Sequence, residues 1–215
     1  TEKFVLNGQE DLRPSEGMVT QMGFSGDGDF LVYSKQKTSL KRWDVREKEH
    51  FSFAPPLFGH ARFYEGRKML LLPGSSLLQF WTLGDRGATL DQELKVPEEV
   101  SKVAFGKNAQ GTSWLAAGGD KAIVMLKQNE KGLWETGSTL HGDPKAICFS
   151  EEGKRLATGF ENGWFILWDW ANRSEVVRLR LSSPIQKILY DPAERLYWIR
   201  SEEHTSELQS PNTNS

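Results

Sequence analysis

What most limits the fold of this chain is a repeat of about 42 residues. Two stretches align without a gap. Phe24-Ser-Gly-Asp-Gly-Asp-Phe-Leu-Val-Tyr leads to Trp43-Asp44, and Phe149-Ser-Glu-Glu-Gly-Lys-Arg-Leu-Ala-Thr leads to Trp168-Asp169, with 19 residues from phenylalanine to tryptophan in both. Two degraded copies lie between them. One runs 18 residues from Phe63 to Trp81, the other 21 from Phe105 to Leu126, and a fifth copy starts at Tyr190. The anchors at 24, 63, 105, 149 and 190 are 39, 42, 44 and 41 apart, and Pro14, Pro55, Pro97, Pro144 and Pro184 keep the same beat. Two independent markers on one period mean one supersecondary unit per repeat, stacked on its neighbours.

Each repeat has the pattern of a four-stranded antiparallel sheet. A short apolar strand ends at the anchor aromatic, as in Val19 to Phe24 and Val100 to Phe105. A turn rich in Gly, Asp and Glu follows, where glycine supplies positive φ without steric cost. The second strand is apolar throughout (Phe30 to Tyr33, Met69 to Leu72, Trp114 to Ala117, Leu156 to Thr158), and the third closes on the tryptophan. Continuous apolar runs of this length suit strands covered on both faces. The fourth strand alternates, as in His50 to Phe53, Asp91 to Val96 and Val176 to Leu181. Proline falls between strands, where it removes no ladder hydrogen bond.

From about Gly17 to Ile199 these residues resemble the WD-repeat family, whose units carry Gly-His, a Phe-Ser-Pro-Asp-Gly turn and a strand ending in Trp-Asp. The resemblance implies an all-β fold: a β-propeller of four-stranded antiparallel blades, incomplete, with about four full blades (17–55, 56–97, 98–143, 144–183) and a partial fifth (184–199). It also implies repeat anchors at Phe24, Trp43, Asp44, Phe63, Trp81, Phe105, Phe149, Trp168 and Asp169. In the family a blade is often tied by a network of His, Ser or Thr, Asp and Trp. Only the fourth repeat offers most of it, in His141, Thr158 and Trp168, with Asn162 in place of the aspartate. Gly59-His60 is a decoy, because aligning Phe63 with Phe149 puts His60 inside a strand.

The last sixteen residues, from Arg200 to Ser215, break with the pattern. They have no apolar periodicity, and Arg200 to Ser210 (RSEEHTSELQS) resembles, codon by codon, the translation of a sequencing adapter. We expect 200–215 to be a non-native or disordered tail. Without it the chain carries 26 basic and 26 acidic residues. Such neutrality supplies no basic field for nucleic acid or an anionic membrane. Its apolar runs are far short of a membrane span, and the lone Cys148 fits an intracellular setting, cytoplasmic or nuclear.

No cofactor or metal signature appears. His50, His60 and His141 fall in separate repeats, without a CxxC, an HExxH or a phosphate loop. Gly23-Phe-Ser25-Gly-Asp27 nearly matches a nucleophile elbow but lacks its last glycine and leads from strand to strand. The expected role is non-enzymatic: a scaffold whose connecting loops bind other proteins or peptides. Its alternatives are the propeller portion of a larger signalling or assembly protein, or a propeller enzyme with acids clustered on its channel. Arg62, Lys145, Glu161 and Trp164 are the candidate contacts near a rim.

Overall fold

The structure is a computed structural model that describes residues 19–35, 40–53, 57, 59–85, 87–108, 110–150, 153–201 and 205–209. It is all-β over these residues, and the chain divides into two compact units, Thr1–Val96 and Pro97–Ser215. Residues before about Glu10, which the repeat pattern would assign to the outer strand of a preceding blade, lie outside the described residues.

The first unit holds two antiparallel sheets, each in sequence order. One contains β1 (Val19–Phe24), β2 (Phe30–Lys35), β3 (Lys41–Asp44) and β4 (Glu49–Ser52). The other contains β5 (His60–Glu65), β6 (Lys68–Leu72), β7 (Leu77–Leu83) and β8 (Ala88–Lys95). The second unit holds three more. The third sheet has β9 (Lys102–Lys107), β10 (Ser113–Gly118), β11 (Ala122–Gln128) and β12 (Trp134–His141), and the fourth has β13 (Pro144–Phe149), β14 (Leu156–Phe160), β15 (Trp164–Asp169) and β16 (Ser174–Arg180). The fifth has three strands, β17 (Ile185–Asp191), β18 (Leu196–Ser201) and β19 (Thr205–Gln209).

The described part of the segment from Arg200 is extended. Arg200 and Ser201 end β18, and Thr205–Gln209 pairs with it from Leu196↔Gln209 to Arg200↔Thr205. The open edge of a hairpin accepts main-chain hydrogen bonds from any short extended segment, whatever its side chains.

Inside each unit the core lies between neighbouring sheets. Met69 to Leu72, Leu115 to Ala117, and Leu156 with Ala157 are all nearly inaccessible, as second strands covered on both faces should be. In the first unit Phe30, Leu40, Phe53, Met69, Leu71, Trp81 and Leu83 form one cluster. In the second unit Phe149, Leu156 and Trp170 pack with Ala116, Ile123 and Met125 of the third sheet. Phe165 and Leu167 pack with Ile185, Ile188 and Tyr197 of the fifth.

Two anchor aromatics face the preceding sheet of their own unit. Phe63 lies over Gly23, and Phe149 lies so close to Gly106 that a Cβ there would sit 2.8 Å from its ring. Phe24 departs from the expected burial and is 58% exposed. Trp43 and Trp81 are buried.

The alternation of the outer strands holds in and after β8, where Gln92, Leu94 and Val96 are covered between exposed Asp91, Glu93 and Lys95. In and after β16 it is weaker: Val177 and Leu181 pack against the core, while Leu179 is exposed. Each of β8, β12 and β16 also carries a bulge opposite one position of the repeat, at Trp81, Leu126 and Trp168. A bulge there bends the strand round a bulky side chain and blunts the sheet edge against stray pairing.

Two arginines join the first two sheets. Arg42, almost wholly buried, lies between the rings of Phe30 and Phe51 and donates to the carbonyls of Gly84 and Asp85. Arg67 reaches Asp27 at 2.8 Å, Asp29 at 2.9 Å and Asp85 at 2.7 Å. The Ser25 hydroxyl and Arg67 hold the Asp27 carboxyl down at about 2 from an ordinary 3.8. A lowered folded pKa contributes stability that is complete above the unfolded value and disappears as pH falls through the folded one. Asp27→Asn is therefore expected to lower stability above pH 5 and to match the wild type near pH 2, as read from urea midpoints measured across that window.

Candidate functional site

One end of the fourth sheet gathers three of the four candidate contacts. β13 begins there, β14 ends there, β15 begins there and β16 ends there. In the register of β13 on β14, Pro144 faces Phe160 and Ala146 faces Gly159, which leaves Lys145 as the extra residue of a bulge. Bulges re-aim side chains. Here the ammonium lies 3.0 Å from Asp143. That hydrogen bond is the main reason its pKa is raised, and the charges of Glu161 and Asp120 add to it. Glu161 is exposed in the β14–β15 turn.

Trp164 opens β15, half-buried and paired with Arg180 of β16. The guanidinium carbons of Arg178 and Arg180 lie 5.3 Å and 5.7 Å from its ring centroid. Glu175 binds Arg178 through both carboxylate oxygens. Sequence reasoning passed over Asp143, Arg178 and Arg180. Arg178 and Arg180 were legible in principle, since alternate positions of a strand put both on the face of the paired tryptophan. Arg62 is in the other unit, exposed on β5, with its guanidinium on the Ala61 carbonyl at 3.3 Å.

The expected four-residue network reduces to a pair. The Trp168 indole N–H donates to Thr158 Oγ1 at 2.9 Å, and that hydroxyl donates to the Ile166 carbonyl at 3.2 Å. His141 stays out. β12 remains paired through to its last residue, so the pleat that buries Leu140 turns His141 outward. Asn162 accepts instead from the Trp164 backbone N–H at 3.3 Å. Thr158→Val is expected to cost about 1–2 kcal/mol, because it leaves a tryptophan N–H without its acceptor. His141→Ala should stay within about 0.5 kcal/mol of the wild type in the same denaturant titration.

The Trp-Asp aspartates hold turns. Asp44 accepts from the N–H groups of Arg46 and Glu47 at 2.9 Å and 3.0 Å, and Asp169 from that of Asn172 at 3.1 Å. The decoy reading of His60 agrees with its place as the first residue of β5. Among the described residues no group of three His, Cys, Asp or Glu side chains is placed to hold a metal, and no helix is long and apolar enough to cross a membrane.

No protein-family profile matches the chain. Over 118 residues it is 26% identical to the small ribosomal subunit protein RACK1 of Neurospora crassa, covering 55% of this chain and 36% of that protein. Over 129 residues it is 27% identical to the DNA replication licensing factor mcm-5 of Caenorhabditis elegans, covering 55% of this chain and 17% of that protein. The chain thus spans about a third or less of these curated relatives, and their names share no common activity. Solved structures agree on the fold. The Swd1 β-propeller domain of Myceliophteria thermophila superposes with a TM-score of 0.69 at 18% identity, over 93% of this chain and 67% of that one. A chain of the mitotic checkpoint complex superposes with a TM-score of 0.71 at 15% identity, over 91% and 62%. The five sheets of this chain are blades of the β-propeller fold.

Proposed function

We propose that the chain is a protein-interaction scaffold that receives its partner at the loop end of the fourth blade. The observation that carries this reading is the bulge at Lys145. It places a loop-end cation against Asp143 and in the field of Glu161, at the same end of the blade as a half-buried tryptophan, on strands fixed by a packed core. Loops on a rigid scaffold are where a propeller places recognition. A structure of the mitotic checkpoint complex among the superposing chains supports a role inside protein assemblies.

Quantitative co-purification with wild-type chain, Lys145→Glu and Glu161→Lys tests the reading. At least one stoichiometric partner should be lost with either reversal and kept with a reversal at Arg62, which lies in the other unit. Partners that ignore both fourth-blade reversals would place recognition elsewhere.

A further inference from the structure

The ring of Trp164 and the two arginines beside it narrow the chemistry of that partner. Arg178 is neutralised by Glu175, with one hydrogen bond of 2.7 Å. Arg180 is exposed, lies against the Trp164 ring, and has no carboxylate partner among the described residues. A guanidinium stacked on an indole loses little freedom when it binds, and its fork fits two oxygens of one oxyanion. The same packing argues against a basic ligand, because a third cation would meet a ring already faced by two. Lys145, another cation at this end of the blade, is held by Asp143.

We infer that Trp164 and Arg180 form an oxyanion subsite for an acidic peptide segment of the partner, with Arg180 making the direct contact and Trp164 holding it in place. The inference rests on the reading of this blade end as the interaction surface, and it adds the sign and chemistry of the ligand.

The test titrates the whole chain with four peptides of equal length: a glutamate hexapeptide, a peptide centred on phosphoserine, the serine form of that peptide, and a lysine hexapeptide. Binding is expected for the glutamate or the phosphoserine peptide and for neither of the others. It should weaken about tenfold in Arg180→Gln, fall with added salt, and be restored only in part by Arg180→Lys. Trp164→Leu should weaken it as well, with the far-ultraviolet spectrum confirming that the blade is intact. Preference between the two anionic peptides assigns the oxyanion to carboxylate or phosphate. Binding of the lysine peptide, lost in Glu161→Gln, would overturn the inference and leave the interaction reading standing. So would anionic binding indifferent to Arg180→Gln. Failure of every peptide to bind, with co-purification still sensitive to Lys145→Glu, would remove the acidic partner alone.

Discussion

Gly159→Ala is expected to destabilise the Pro97–Ser215 unit by about 3 kcal/mol, near the top of the range for overpacking a core. Gly159 lies in β14, paired with Phe165 on one side and Ala146 on the other. A Cβ on it would sit 2.3 Å from Ile185 Cγ2, 2.8 Å from Ile185 Cβ and 3.2 Å from Ile188 Cδ1. Ile185 Cβ moves with no side-chain torsion, and the residue is β-branched with no accessible surface, so no rotamer change clears the clash. Relief requires the backbones of the fourth and fifth sheets to move apart. Removing a glycine from a strand gains about 0.5–1 kcal/mol of backbone entropy, too little to offset the clash. Gly23→Ala is the control: its Cβ would meet the Phe63 ring at an ordinary 3.7 Å, so stability should change by less than about 0.5 kcal/mol. In a double-mutant cycle Ile185→Ala, itself costing about 3–4 kcal/mol, should recover at least 1 kcal/mol of the Gly159→Ala penalty. Strict additivity would show that the two residues do not compete for the space.

Anchor aromatics that stack the sheets were readable in the sequence where the repeat fixes them. Phe149 could be placed from its distance to Trp168, and the run from Met69 to Leu72 could be read as a strand covered on both faces. What escaped was anything that depends on where a neighbouring sheet lies. Phe24 carries the same motif as Phe149, yet its ring is exposed, since a motif does not record what stands opposite it. His141 stands one repeat element before Thr158 and Trp168, as a network histidine should. A single step of strand alternation turned it to solvent, and spacing alone did not reveal that β12 would stay paired to its last residue. The segment after Arg200 lacks apolar periodicity and gave no sign of a strand, because the pairing of β19 with β18 is made by backbone. At the candidate site, Lys145, Glu161 and Trp164 were identifiable as loop-end residues of one repeat. The bulge that turns Lys145 was not, because it arises from the register of β13 on β14. Arg42 was the least legible: between Lys41 and Trp43 it reads as one more solvated charge.

Arg42→Ala is expected to cost the Thr1–Val96 unit about 3–4 kcal/mol. Its guanidinium donates to the Gly84 and Asp85 carbonyls, and hydrogen bonds from a charged donor are each worth about 1.5–3 kcal/mol. Stacking at 4.8 Å and 4.9 Å from the Phe30 and Phe51 ring centroids adds about 0.5–2 kcal/mol. Burial works the other way. It pushes the guanidinium pKa down, and the desolvation cost is recovered when the charge is removed, so the net loss is smaller than the gross sum. Arg42→Met separates these contributions by keeping much of the buried stem while leaving both carbonyls without their donor, at about 2 kcal/mol. Arg42→Lys should fall between Met and Ala, because a single ammonium reaches one carbonyl well and forces a strongly hydrated charge into the same slot. Arg67 provides the contrast. It binds three carboxylates, but its side chain is 33% exposed and Asp85 is 85% exposed, so screening limits Arg67→Gln to about 1 kcal/mol. Raising salt should erase most of the Arg67 effect and little of the Arg42 effect. Urea titrations at low and high salt decide between them: an Arg42→Ala penalty that also collapses in salt would mean that the buried arginine is not what fastens the first two blades together.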